Sequence, residues 1–153
     1  MFERFSESAR RAIFFTRQEA GDMGASFIES EHLLLGILRE NKGLLASGVA
    51  DEICRSIKGS ADWPPSPFDN IHLLYCTDMP LSAESKRALQ LAAEEATKLK
   101  HEVIGPAHLM LGLIDCEKSR AAEALTNQGF DAEKFRNQMV PSTPSDFEGR
   151  NYV

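Results

Sequence analysis

The sequence predicts an all-α fold in which two copies of one helical unit pack about a pseudo-twofold axis. Three observations carry this. Shifting the chain by 76 positions lays Phe5-Ser6 on Leu81-Ser82, Arg10-Arg11-Ala12-Ile13 on Lys86-Arg87-Ala88-Leu89, Glu19-Ala20 on Glu95-Ala96 and Phe27-Ile28 on Val103-Ile104, without a gap from Phe5 to Ala46. The same shift lays the apolar run His32-Leu33-Leu34-Leu35-Gly36-Ile37-Leu38 on His108-Leu109-Met110-Leu111-Gly112-Leu113-Ile114. Apolar and small residues recur at steps of three and four ahead of each run, the period of a helix with one buried face.

Each copy opens with an amphipathic helix. Phe5, Ala9, Ala12, Ile13, Thr16, Ala20 and Met23 form the stripe of the first, and Leu81, Ser85, Ala88, Leu89, Ala92, Ala96 and Leu99 that of the second. Both stripes are narrow and rich in small residues, which lets another helix approach closely. Ser6 and Ser82 stand where N-caps belong. The second helix of each copy carries the leucine-glycine run and is apolar on several faces, which predicts burial at the centre. Ser30 is expected to cap the first of these, and Pro106 to open the second. Gly36 and Gly112 cost about 1 kcal/mol each relative to Ala inside a helix. Close approach of the two central helices to each other is expected to offset that cost.

The remainder of each half reads as shorter helices. Leu44 to Val49 and Asp51 to Lys58 read as helical, broken near Gly48. Lys118 to Gln128 reads as a helix ended by Gly129, and another follows from Asp131 to about Val140. Gly59 to Met79 joins the halves as a loop by composition, with Ile71 to Cys76 reading as extended. Pro141 to Val153 reads as a flexible tail.

Composition narrows the function classes. With 17 Lys and Arg scattered among 23 acids and a formal net charge of -6, the chain offers no cluster of the kind that neutralises phosphates, so nucleic acid is not an expected partner. No apolar run approaches the roughly 20 residues of a membrane span, and no membrane partner is expected. Cys54, Cys76 and Cys116 form no CxxC pair, and an odd count points to reduced thiols, hence a cytoplasmic setting.

Ser6-Glu7-Ser8-Ala9-Arg10-Arg11-Ala12 followed by Ile28-Glu29-Ser30-Glu31-His32-Leu33-Leu34-Leu35-Gly36-Ile37-Leu38 resembles the signature of the amino-terminal domain of the Clp/Hsp100 unfoldases. The second copy, Ile104-Gly105-Pro106-Ala107-His108-Leu109-Met110-Leu111-Gly112-Leu113-Ile114, resembles its partner repeat. The resemblance implies an eight-helix bundle of two four-helix Clp repeats over residues 1–140, with repeat 1 at about 2–58, an interrepeat loop at 59–79, and repeat 2 at about 80–140. It implies a protein-binding module that docks substrate polypeptides, adaptors or a Clp ATPase and does no covalent chemistry. No GxxxxGK[ST] phosphate loop occurs in the sequence, so the residues in hand are a stand-alone relative or the front of a longer unfoldase.

The resemblance also implies site residues. In some relatives a helix-start hydroxyl and the Glu before the motif His hold a phosphorylated arginine, one pocket per repeat. Here one pocket keeps Ser6 and Glu31, while the other keeps Ser82 and has Ala107 in place of the acid. The alternative is that these residues only cap and favourably charge helix starts. His32 and His108, at one position in two copies, read as rings bonded to neighbouring backbone rather than as metal ligands or catalytic groups. His72 and His101 have no ligand-spaced partner, and no metal or cofactor is expected. Phe14 or Phe15 is expected to stay partly exposed as a partner contact, the alternative being packing against Trp63 or Phe68. The rival functions are a small helical enzyme using Glu31, His32 or a cysteine, and a regulatory scaffold outside proteolysis.

Overall fold

In the computed structural model, residues 3–59 and 79–139 are described. The loop between the halves, with Trp63, Phe68 and the segment at 71–76, lies outside the described residues, as does the tail at 141–153. Seven α-helices and one 3-10 turn are present among the described residues. The first copy contains α1 (Glu7–Asp22), α2 (Ser30–Glu40), the 3-10 turn Lys42–Leu44, and α3 (Val49–Lys58). The second contains α4 (Ala83–Lys98), α5 (Pro106–Asp115), α6 (Arg120–Asn127) and α7 (Ala132–Met139).

The amphipathic stripes face inward. Ala9, Ala12, Ile13, Thr16 and Ala20 are buried in α1, and Ser85, Ala88, Leu89, Ala92 and Ala96 in α4. Met23 falls past the end of α1 and is 39% exposed. The hydroxyls of Ser6 and Ser82 accept the Ala9 and Ser85 amides at 3.1 Å, as N-caps do. Both helices end with the same backbone turn. Gly24 and Lys100, 76 positions apart, adopt φ of 69° and 62°, and the Ala25 and His101 amides reach back to the Ala20 and Ala96 carbonyls. Left-handed backbone at a lysine costs roughly 1 kcal/mol.

The glycines face a different neighbour from the one expected. A Cβ on Gly36 would lie 2.0 Å from Thr16 Oγ1, 2.5 Å from the Ala12 carbonyl and 2.6 Å from the Thr16 amide, all on α1. A Cβ on Gly112 would lie 2.3 Å from the Ala88 carbonyl and 2.7 Å from the Ala92 amide, both on α4. The close approach is therefore between the two long helices within each copy. Helices α2 and α5 do touch each other, but their glycines serve the α1–α2 and α4–α5 seams, where the small stripe residues admit a neighbouring backbone.

The copies interlock through backbone. The strand-like residues before the helices pair across the repeat boundary in two parallel bridges, Phe5 with Ile104 and Ile28 with Leu81. The Ser6 amide donates to the Ile104 carbonyl at 2.9 Å, and the Ile104 amide to the Arg4 carbonyl at 2.8 Å. In the symmetric copy the Ser82 amide donates to the Ile28 carbonyl at 3.0 Å, and the Ile28 amide to the Pro80 carbonyl at 2.8 Å. Shifting either pair by 76 positions gives the other, which is the pseudo-twofold in hydrogen-bond form. The buried Ser85 hydroxyl adds a bond to the Ile28 carbonyl at 2.6 Å.

Buried charges tie the shorter helices down. Glu19, with a fully buried side chain, accepts from Arg39 of α2 at 3.1 Å and Lys58 of α3 at 2.9 Å. Glu95, its counterpart, accepts from Arg136 of α7 at 2.8 Å, and the same guanidinium reaches Asp115 at 2.9 Å. Asp115 occupies the position that Arg39 holds in the first copy, so the two networks carry opposite net charge. By this measure α3 takes the place of α7. The counterpart of α6 is reduced to the 3-10 turn: residues 45–48 are bends and turns, so the helix expected from Leu44 to Val49 does not form. Gly48, at φ 84°, instead starts α3.

Candidate functional site

Three helix starts converge beside the Ile28–Leu81 bridge. The bridge sets the first turn of α2 against that of α4, and carboxylate oxygens of Glu29, Glu31 and Glu84 lie within 4.8 Å of one another. Carboxylates are favoured at helix N-termini, where free N–H groups and the dipole carry positive potential, and this offsets part of their mutual repulsion. The third start belongs to α6. Ser119 caps it by accepting the Ala122 amide at 3.0 Å. Ser30, buried as the first residue of α2, accepts the Ala121 amide at 3.3 Å. Ser30 is therefore not the N-cap of its own helix, as expected; Glu29 holds that position, and Ser30 serves the helix start of the other copy.

Glu31 is the focus of this surface. Its side chain is 9% exposed and accepts from Arg120 at 3.0 Å, whereas the Arg120 side chain is 79% exposed. Arg120 is the first residue of α6, the unfavourable end of a helix for a cation, so Glu31 is the group that holds it there. The pairing raises the Arg120 pKa further above its ordinary value, chiefly through the hydrogen bond to Glu31. Beside the pair lies a polar cleft of about 270 Å³ bordered by Met23, Ile57, Glu123 and Asn127.

The structure re-pairs two expected site residues. Ser6 is bridged to Ile104, ahead of Pro106 and Ala107, so the carboxylate-free helix start lies on its side. Glu31 lies on the Ser82 side, where the Ser82 and Ser85 hydroxyls are 3.1 Å apart. Ser6 and Glu31 therefore belong to different junctions, and the acid-bearing junction is the one containing Ser82.

His32 and His108 cap their helices from within. His32 Nδ1 accepts the Glu29 amide and His108 Nδ1 accepts the Gly105 amide, both at 2.9 Å. Both rings are buried. Burial lowers the pKa of His32, and lowers that of His108 to about 4 with a further contribution from His101. The rings stay neutral at pH 7, as an accepting Nδ1 requires. Burial also raises the thiol pKa of Cys54 and Cys116, holding both in the less nucleophilic protonated form. Glu29, Glu31 and Glu84 are the carboxylates whose spacing could admit a cation, but the Arg120 guanidinium already takes Glu31.

Phe14 is partly buried, its ring centroid 6.4 Å from that of Phe15 in an edge-on arrangement, and the Arg39 guanidinium lies 4.8 Å above the Phe15 ring. The most open large apolar side chain among the described residues is Phe27, 51% exposed, with Met23 next. The sequence signal was available: Phe27 falls opposite Val103 in the duplication and one residue before the buried Ile28, so in extended backbone it points to the opposite face from Ile28.

Residues 80–146 match the family model of the Clp repeat (R) N-terminal domain. The crystal structure of the N-terminal domain of the chaperone ClpD from Arabidopsis thaliana superposes with a TM-score of 0.66 at 30% sequence identity, covering 90% of this chain and 92% of that one. The chain belongs to the Clp N-terminal domain family. Among full-length relatives, the chloroplastic chaperone protein ClpC2 of Arabidopsis thaliana is 34% identical over 140 residues. The ClpA-homologous ATP-binding subunit of the Clp protease from Guillardia theta is also 34% identical over 140 residues. These alignments take in 92% of this Clp N domain but 15% and 17% of the respective relatives. No helix among the described residues is long and apolar enough to cross a membrane.

Proposed function

We propose that this Clp N domain is a protein-binding module of a Clp chaperone or protease pathway, docking substrate polypeptides, adaptors or a Clp ATPase without doing covalent chemistry itself. Its docking surface is the junction of α2, α4 and α6, where Glu31 receives an arginine side chain of the partner and Ser82 and Arg120 form the rim. The supporting observation is that Glu31, nearly buried at a helix start, is held by an exposed guanidinium of its own chain at 3.0 Å. The Arg120 guanidinium is itself 79% exposed and free to swing into solvent, so a partner arginine can replace it on Glu31 like for like. A phosphorylated arginine gains twice: its guanidinium takes Glu31, and its phosphoryl group takes the released Arg120 through charge-assisted hydrogen bonds. Met23 and Phe27 supply apolar contact nearby, with Phe14 a further candidate. The Ser6 junction, with Ala107 in place of an acid, takes no arginine. Buried neutral histidines and protonated thiols speak for binding rather than nucleophilic catalysis.

Calorimetric titration with free phosphoarginine and with an arginine-containing peptide tests this. Glu31→Gln is expected to weaken both by at least about tenfold, the loss of a charge-assisted pair. Arg120→Ala is expected to strengthen the unmodified peptide and weaken phosphoarginine. Unchanged binding in a folded Glu31→Gln protein would overturn the assignment.

A further inference from the structure

The two junctions between the copies are equivalent in backbone but differ in what stands behind them. Behind the Phe5–Ile104 bridge, His108 Nε2 lies 2.8 Å from His101 Nδ1, with ring centroids 5.0 Å apart and planes at 70°. Both rings are buried, His101 at 7% and His108 at 1% exposure. In the first copy the position of His101 is Ala25, so the pair exists on one side only.

The hydrogen bonds admit a single arrangement of protons. The Gly105 amide can only donate, so His108 Nδ1 must accept and its proton must sit on Nε2. That Nε2–H then donates to His101 Nδ1, which must carry a lone pair, leaving the His101 proton on Nε2. A proton added at His101 Nδ1 sets two N–H groups face to face. A proton added at His108 Nδ1 sets one against the Gly105 amide. Either event breaks a bond that fixes the connection from Leu99 to Gly105.

The same connection anchors the start of the chain's first copy. Arg4 donates to the His101 and Glu102 carbonyls, each at 3.1 Å, and to the Thr97 hydroxyl at 3.5 Å, while its own carbonyl accepts the Ile104 amide. A charge on the His108 ring would be repelled by the Arg4 guanidinium, and burial opposes a charge on His101. Facing His108 from α4 is Glu95, which favours the charged ring but is engaged by Arg136 at 2.8 Å. Facing His32 are three acids, Glu19, Glu29 and Glu31, and no cation adds a counteracting push there. Acids alone are thus named around His32, while His101 and Arg4 both oppose a charge on His108.

We propose that His101 and His108 form an acid-sensitive latch, which clamps Arg4–Ser6 onto the second copy at neutral pH and releases that segment on protonation while the Ile28–Leu81 junction stays closed. Release uncovers Phe5 and Ile104, at present 6% and 2% exposed, without separating the copies.

Amide hydrogen exchange followed by NMR on the full chain tests this, comparing protection factors of Ser6 and Ile104 with those of Ile28 and Ser82. Between about pH 7 and about pH 4.5, the first pair is expected to lose at least about tenfold more protection than the second, the equivalent of one pKa unit of linkage. His101→Gln offers the His108 Nε2–H an acceptor that does not titrate. It is expected to reduce the difference between the pairs to less than about threefold. Equal loss at both junctions, no loss at either, or an undiminished difference in the His101→Gln protein would each overturn the proposal.

Discussion

Gly36→Ala puts the packing of each copy to a numerical test. The new Cβ would meet Thr16 Oγ1 at 2.0 Å, the Ala12 carbonyl at 2.5 Å and the Thr16 amide at 2.6 Å, against ordinary carbon contacts of roughly 3.5 Å. Two of these are backbone atoms of α1, so no rotamer change relieves them, and α1 and α2 must separate by about 1 Å. Overpacking of this kind costs about 1–3 kcal/mol, and a clash with backbone belongs at the upper end. Helix propensity returns about 1 kcal/mol, leaving a net loss of about 2 kcal/mol. Urea titration followed by circular dichroism reads this as a lower midpoint with an unchanged slope. Thr16→Ala in the same background removes the 2.0 Å contact but leaves both backbone contacts, so it is expected to rescue only part of the loss. A Gly36→Ala protein as stable as the parent, or more stable by the propensity gain, would refute the close seam between α1 and α2.

Two further outcomes follow from the charged interior. Arg136→Met leaves Glu95 and Asp115 without their shared cation and is expected to destabilise by about 3 kcal/mol at pH 7, less at pH 5 as the acids take up protons, read from urea midpoints at the two pH values. The pH profile itself contains opposed contributions. His108 has a folded pKa of about 4, below its ordinary 6.5, so the unfolded chain binds its proton first and stability is lost as pH falls from about 6.5 to about 4. Burial and the neighbouring Glu95 raise Asp115 from 3.8 to about 6, so its contribution runs the other way, lost as pH rises through that window. Asp115→Asn is therefore expected to steepen the decline of stability on acidification between about pH 6.5 and about pH 4, and an unaltered slope would count against the Asp115 assignment.

The parts of the fold carried by local period were legible in the sequence. The duplicated leucine-glycine runs, the small-residue stripes and the caps at Ser6 and Ser82 all depend on spacing within one helix. What spacing leaves open is the identity of the neighbour. The glycines announce close approach but not to which helix, and they meet α1 and α4 because the small residues there match them. The backbone bridges join residues about a hundred or about fifty positions apart through single extended residues, too short to show a strand's alternation. Gly48 does mark the break where the first copy lacks a counterpart of α6, although the loss of that helix is more complete than the apolar pattern of Leu44 and Leu45 suggests. Burial of Glu19 and Glu95 could have been inferred, since an acid repeated beside an alanine of the buried stripe in both copies is an unusual surface feature. The hold of Glu31 on Arg120 spans 89 positions and leaves no local trace, and membership of one repeat groups Glu31 with Ser6, whereas the interlocked backbones place it at the Ser82 junction.

Through-hydrogen-bond scalar couplings between amide nitrogens and carbonyl carbons give the most direct test of the interlocked repeats. The account predicts couplings from Ser6 to Ile104 and from Ser82 to Ile28, together with their reciprocals from Ile104 to Arg4 and from Ile28 to Pro80. Couplings that instead join Ser6 to Ile28 and Ser82 to Ile104, each within its own copy, would contradict it.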